Sequence, residues 1–209
     1  MPEFSPTFRQ DFDRLLRWRR DVRRFRTDPV DDTLLQDCLS SFRLAPSVGL
    51  SEPWRLVRVK SPAARRAALE NFEQANAEAL AGYSGEKARL YAGLKLSGMQ
   101  ESPVQMAVFC DEETAKGSGL GAATMPETRR YSVVAAIVQF WLKARTEGLG
   151  VGWVSILDAD RLREDLQVSD GWKLVAYLCI GWPMNVTDTP ELEHVGWETR
   201  NASLDLLER

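Results

Sequence analysis

Residues 126–147 constrain the fold more than any other stretch. Pro126 stands at or near the first turn of a predicted helix that runs to Glu147, where Gly148 stops it. Its middle, Val133-Val134-Ala135-Ala136-Ile137-Val138 and then Phe140-Trp141-Leu142, is apolar almost all the way round. Such a helix has no face left for water, so it belongs at the centre of the molecule or in a subunit interface. Ser132, Gln139 and Lys143 interrupt the apolar stretch between Tyr131 and Ala144, which is too short for a membrane span of roughly 20 apolar residues. A homodimer built on this helix is expected, since isologous pairing is the commonest way to cover such a surface.

The flanking elements are predicted from periodicity and breakers. An amphipathic segment covers about Phe12 to Trp18. Pro29-Val30-Asp31-Asp32 opens a helix through about Phe42, with Leu34, Leu35, Cys38, Leu39 and Phe42 at helical spacing. Ser47 to Pro53 reads as a loop and Trp54 to Val59 as a strand. The alanine-rich stretch from Pro62 to about Gly98 is broken at Gly82-Tyr83-Ser84-Gly85, which predicts two helices joined by a turn. Val104–Cys110, Val151–Leu157 and Leu174–Ile180 read as strands. Asp158 caps a short helix through about Leu166, and Pro183 to Arg209 reads as an extended polar arm. The order has no βαβ rhythm, no repeat and no linker. It predicts one domain over residues 1–209, of α+β class, with a mixed central sheet flanked by helices.

Several function classes are disfavoured. A net charge of -3 gives no general attraction to nucleic acid or anionic membrane. Cys38, Cys110 and Cys179 are odd in number and widely spaced, the pattern of free thiols in a reducing compartment. Met1-Pro2-Glu3-Phe4 does not begin a signal peptide, so a cytoplasmic location is expected. His194, the single histidine, reads as a surface residue and cannot complete a zinc site with these cysteines; a metal-free active site is expected. Ser132 and Ser155 have no histidine nearby in sequence for a triad. Gly117-Ser118-Gly119-Leu120-Gly121 lacks the lysine and spacing of phosphate-binding loops and reads as a connector.

The feature that asks for a function is Arg19-Arg20-Asp21-Val22-Arg23-Arg24-Phe25, with Arg14, Arg17 and Arg26 close by. Guanidinium groups offer several donors in fixed planes and suit a phosphate dianion. If the run is helical, Arg19 and Arg23 share a face. The competing reading is a solvated basic face paired with Asp11, Asp13 and Asp28.

The order of motifs resembles the nitroreductase-like flavoproteins from about Trp18 to Arg200. The arginine strip comes first, then a proline-led helix and the loop from Ala45-Pro46-Ser47 to Pro53-Trp54. The strand Val104–Cys110, the turn Gly148-Leu149-Gly150-Val151-Gly152-Trp153 and Cys179-Ile180-Gly181-Trp182-Pro183 follow in that order. Narrower features resemble the 5,6-dimethylbenzimidazole synthase branch. These are Asp21 in place of a serine, Ala123 to Thr128, Tyr131 to Val134, Gly152 to Leu157, and Gly196-Trp197-Glu198-Thr199-Arg200. Glu52 departs from the pattern, where an amide is expected before Pro53-Trp54.

The resemblance implies a dimeric fold with a C-terminal arm. It implies that Arg19, Arg20 and Arg23 hold the FMN phosphate and nearby ribityl oxygens, with Asp21 and Val22 in the same strip. Ser47 and Ser51 become loop contacts, with turn capping as the alternative. Leu96 and Met99 lie beside the ring, and Ser155, Ile156 and Leu157 line it. For Leu96, Met99 and Leu157 the alternative is plain core packing. Arg200, on the C-terminal arm, completes the phosphate site, within its own chain or across a dimer interface. The implied activity is oxygen-dependent fragmentation of reduced FMN to 5,6-dimethylbenzimidazole, the lower-ligand base of cobalamin. FMNH2 is then substrate, O2 co-substrate, and a separate flavin reductase the supplier. Asp21 is the proton acceptor near the ribityl carbon, and Ser155 the hydroxyl that holds the oxygen adduct. An NAD(P)H-dependent nitroreductase or flavin reductase with reusable FMN, and a non-catalytic flavin carrier, are the other readings.

Overall fold

The computed structural model describes residues 3–209; Met1 and Pro2, on which the signal-peptide expectation partly rests, lie outside the described residues. Four strands, β1 (Trp54–Arg58), β2 (Val104–Asp111), β3 (Gly150–Val154) and β4 (Trp172–Gly181), form one sheet in the order β1-β2-β4-β3. All three pairings are antiparallel, with Leu56 opposite Val108, Met106 opposite Leu178 and Gly152 opposite Cys179. The mixed character expected of the sheet comes down to one parallel bridge, Asp21 to Val151.

The two central strands are covered on both faces, so β2 reads as a continuous apolar run rather than an alternating one. Met106, Val108, Leu178 and Ile180 face α5 (Thr128–Thr146) and α2 (Asp32–Ser40), where Ile137, Phe140, Leu35 and Cys38 close the core. Ala107, Phe109, Tyr177 and Cys179 face the other way, with Phe72 of α3 (Pro62–Ala81) and Leu162 of α6 (Ala159–Asp165). α4 (Gly85–Gly93) follows α3 after the expected glycine break.

Three expectations need correcting. α5 starts at Thr128 and is not apolar-buried all round: Ser132, Val133, Ala136, Ile137, Phe140, Trp141 and Ala144 are buried, while Tyr131, Val134 and Val138 face outward. α2 starts after Asp31, whose carboxylate caps Thr33 and Leu34, and ends at Ser40; a single tight 3₁₀ turn, Ser41–Leu44, carries the chain to Pro46. α1 (Pro6–Trp18) begins six residues earlier than the amphipathic pattern suggested, with Ser5 as its cap.

α1 ends at Trp18, so the arginine strip is not helical. Arg19 is already extended (φ -75°, ψ 115°), and the chain runs on along the free edge of β3. Val22 N–H donates to Val151 O (3.1 Å), Arg26 N–H to Trp182 O (2.8 Å) and Met184 N–H to Arg24 O (3.0 Å). Arg19, Asp21 and Arg23 therefore share a side through the two-residue period of extended chain. The approach is close enough that a Cβ on Gly152 would stand 2.1 Å from the Val22 carbonyl oxygen. After β4 the arm holds one short helix, α7 (Glu191–His194), and then loses regular structure. No helix among the described residues is long and apolar enough to cross a membrane.

Candidate active site

The strip at the edge of β3 fixes a carboxylate at two points. Asp21 Oδ1 accepts the backbone N–H of Trp153 at 2.8 Å, and Oδ2 accepts Arg23 Nε at 2.8 Å. Arg23 is held in turn, donating from Nη1 to the carbonyl of Lys95 at 3.2 Å. Ser155 lies two residues beyond Trp153, just past the end of β3, so its backbone is within about 7 Å of the point where Asp21 is anchored. Its side chain is exposed.

Ile156, Leu157, Leu96 and Val22 are half-buried and pack on the cluster around Phe25, Ala107, Tyr177 and Cys179. Met99 is buried in that cluster, and its carbonyl accepts Gln105 Nε2. For Met99 the core-packing alternative describes the side chain; Leu96 and Leu157 keep an open rim. The loop carrying Ile156 and Leu157 is pinned by Asn71, a buried residue of α3 that the sequence reading missed. Asn71 Nδ2 donates to Asp158 O (2.9 Å), and Asn71 Oδ1 accepts Asp158 N–H (2.8 Å). An asparagine beside Phe72 on an otherwise apolar helix face was the available signal.

At the N-terminal end of the strip, a recess of about 540 Å³ is lined by Arg17, Arg19, Arg20, Glu193 and Arg200. The guanidinium of Arg19 stands 4.8 Å from the centroid of Trp141, and Arg20 spends Nε and Nη2 on the Asp188 carbonyl. Among the described residues, no carboxylate lies within ion-pair distance of Arg19, Arg20 or Arg200. Burial lowers the pKa of Arg19 and Arg20, and the charge of Arg200 lowers both further, against an upward pull from Asp21 on Arg19 and from Asp188 on Arg20. Crowded, partly desolvated cations that outnumber the two carboxylates lining the recess, Asp188 and Glu193, and make no direct ion pair with them form a site for an anion. The pairing expected of a merely solvated face does not form with Asp11 or Asp13; only Arg26 meets Asp28 (2.9 Å). Arg23 stands apart from this recess, on the carboxylate.

Ser47 and Ser51 are elsewhere. Ser47 Oγ accepts the Glu52 N–H (3.1 Å), which is the turn-capping role. Ser51 is buried and its Oγ has no partner. Glu52 pairs with Lys116 at the surface and does not line the arginine recess. The loop is fastened to the N-terminal end of α5, where Val48 N–H donates to Ser132 Oγ at 3.0 Å. Arg19 is fastened to Trp141, nine residues on, which is about 13 Å further along the helix. One chain thus brings together Arg19, Arg20, Arg200, Asp21, Val22, Arg23 and the Ser155 loop, but not the Ser47–Ser51 loop. Among the described residues, no three His, Cys, Asp or Glu side chains are grouped to hold a metal ion.

Comparison with known proteins shows the family. A protein named 5,6-dimethylbenzimidazole synthase from Rhodospirillum rubrum is 54% identical over 95% of this chain and 94% of its own. One of the same name from Rhodobacter capsulatus is 46% identical over 93% of this chain and 94% of its own. Among solved structures, iodotyrosine deiodinase bound to FMN and 3-iodo-L-tyrosine superposes with a TM-score of 0.71 at 18% identity, covering 94% of this chain and 97% of that one. The model of the Nitroreductase family matches residues 16–182, which include every strand and the whole arginine strip. The chain belongs to the nitroreductase family.

Proposed function

We propose that this protein is a 5,6-dimethylbenzimidazole synthase that fragments reduced FMN with O2 in the cytoplasm, on FMNH2 delivered by a separate flavin reductase. The observation that carries the chemistry is Asp21, a carboxylate oriented by Trp153 N–H and Arg23 beside an unpaired arginine recess. Arg19, Arg20 and Arg200 take the phosphate. The ribityl chain then runs along the strip past Asp21 and Val22, with Arg23 on the ring side. Leu96, Met99, Ile156 and Leu157 provide apolar contact for the ring.

Reduced flavin supplies its own reactivity towards O2, and the protein supplies position, exclusion of water and a proton acceptor. Asp21 accepts the proton lost from the ribityl carbon next to the ring, and Ser155 orients the oxygen side. We further propose a homodimer in which the Ser47–Ser51 loop of the other subunit completes the site, since one chain leaves its two halves apart.

The test is single turnover of purified protein with FMNH2 and air. Loss of flavin absorbance with a benzimidazole product is expected. Bleaching of NAD(P)H by the protein alone, with FMN conserved, would instead identify a nitroreductase or flavin reductase. Intact FMN with neither behaviour would identify a carrier.

A further inference from the structure

Arg200 is the one arginine of the recess that is distant in sequence, and the segment that carries it has little regular structure. Trp197, three residues earlier, is where the arm is fastened. Its indole meets the ring of Tyr83 at 5.6 Å and that of Tyr91 at 6.1 Å, both edge-on, and the two tyrosines stack at 4.9 Å. Tyr83 lies in the turn between α3 and α4, and Tyr91 in α4. Tyr91 Oη is fixed by Asn76 Oδ1 of α3 at 2.8 Å.

Lys87, on the same helix α4, holds Nζ 4.4 Å from the indole centroid and donates to the Trp197 carbonyl at 2.8 Å. Trp197 N–H donates back to Leu192 O at 2.8 Å. The indole and both backbone polar groups of Trp197 are therefore engaged. The chain from Trp197 to Arg200 spans at most about 11 Å when fully extended. Where Trp197 is seated thus limits where the Arg200 guanidinium stands.

The seat has an electrostatic reason. Arg200 next to Arg19 and Arg20 is repelled by both, and without an anchor this repulsion drives the arm outward whenever the anion is absent. The contacts of Trp197 are aromatic and cation–π, so this anchor adds no further carboxylate to a recess that Asp188 and Glu193 already line. The same hairpin leads through Leu94 to Lys95, whose carbonyl holds Arg23.

We infer that Trp197 is a positioning residue for flavin binding: seated between Tyr83 and Tyr91 and clasped by Lys87, it sets Arg200 into the recess with Arg19 and Arg20. This rests on the reading of that recess as the FMN phosphate site.

The test uses full-length protein and two readouts, hydrogen exchange of residues 190–200 and affinity for FMN against riboflavin. Trp197→Ala should speed exchange of the arm and weaken FMN binding about tenfold, the scale of one charged hydrogen bond lost. Riboflavin, which lacks the phosphate, should bind within about twofold of wild type, because the indole acts only through Arg200. Trp197→Phe should recover most of the loss, and Lys87→Ala should show part of it. Trp197→Ala combined with Arg200→Ala should be no weaker than Arg200→Ala alone.

Unchanged exchange in Trp197→Ala, an equal loss for both flavins, or additive losses in the double variant would each overturn the inference. If exchange speeds up but Arg200→Ala leaves FMN affinity intact, the phosphate reading of the recess has failed and takes the inference with it.

Discussion

Asp21 uses each carboxylate oxygen once, towards Trp153 N–H and Arg23. Asparagine in its place keeps an acceptor for Trp153 N–H but presents an amide to Arg23 and cannot take a proton. Asp21→Asn is therefore expected to fold and to bind FMNH2, while benzimidazole formation falls by about a hundredfold or more, the scale of a lost general base. Flavin should return as intact oxidised FMN. Ser155→Ala, which removes an exposed hydroxyl without disturbing the carboxylate, should slow the reaction less. Product separation after a single turnover reads both variants, and a wild-type yield from Asp21→Asn would remove Asp21 from the chemistry. At the same scale, the three thiols should be inert. Cys38, Cys110 and Cys179 are buried, and burial pushes Cys110 up to about 11 and Cys179 up to about 12. A thiol with a pKa near 11 is only about one-thousandth thiolate at pH 8, and it is the thiolate that reacts. Alkylation followed by mass should leave the native protein unlabelled at pH 8 and label all three cysteines in denaturant.

The element that organises the site is the extended strip Arg19–Phe25, and its contact with β3 depends on Gly152. A Cβ there would meet backbone, the Val22 carbonyl oxygen at 2.1 Å, so no side-chain rotation relieves it. Gly152→Ala is expected to cost about 1–3 kcal/mol or more by overpacking. For a chain of this size that lowers the thermal midpoint by roughly 3–10 °C. Gly93→Ala, at the end of α4 with nothing within 4 Å of the added methyl, should be neutral or slightly stabilising. Calorimetry of the two variants checks the contrast. The strip also shows where sequence reasoning stops. β2, β4 and the α3–α4 break were legible because buried strands and glycine turns mark themselves in composition. The end of the first helix at Trp18 was legible too, but its start was not, and the course of the arginine run beyond it stayed open because arginine is a good helix former; the Val151 carbonyl, remote in sequence, takes the Val22 N–H and draws the strip out as extended chain. β3 likewise stops at Val154 rather than Leu157 because Asn71 draws the following loop onto α3. The candidate site residues were named through motif order, but the Asp21–Trp153 contact is made to a backbone N–H, which no side-chain pattern records. The division between the strip and the Ser47–Ser51 loop is equally invisible, since it depends on which end of α5 each one meets.

At the scale of the whole molecule, a single chain leaves apolar surface that needs a partner. α1 has no buried residue at all. Phe4, just before it, stacks on Phe8 at 4.7 Å, and Phe8 on Phe12 at 6.4 Å, yet these rings and Leu16 are 43–55% exposed. A helix of 13 residues is marginal in water on its own propensity, so its stability must come from packing of this face. On α5, Tyr131, Val134 and Val138 make a second exposed apolar stripe, at i, i+3 and i+7. The proposed homodimer pairs two copies through these surfaces, and its premise is that the Ser47–Ser51 loop of one chain meets the strip of the other. Light scattering at micromolar concentration should therefore give twice the chain mass of 23.6 kDa. Phe8→Asp together with Val138→Asp places like charges in both stripes and should shift the mass towards 23.6 kDa. On the proposed shared site, FMN affinity should fall in parallel with dissociation, by at least tenfold, although neither substituted residue is among the proposed flavin contacts. A monomer that binds FMN as tightly as the wild type would show that one chain holds the complete site, and the proposed pairing would have to be abandoned.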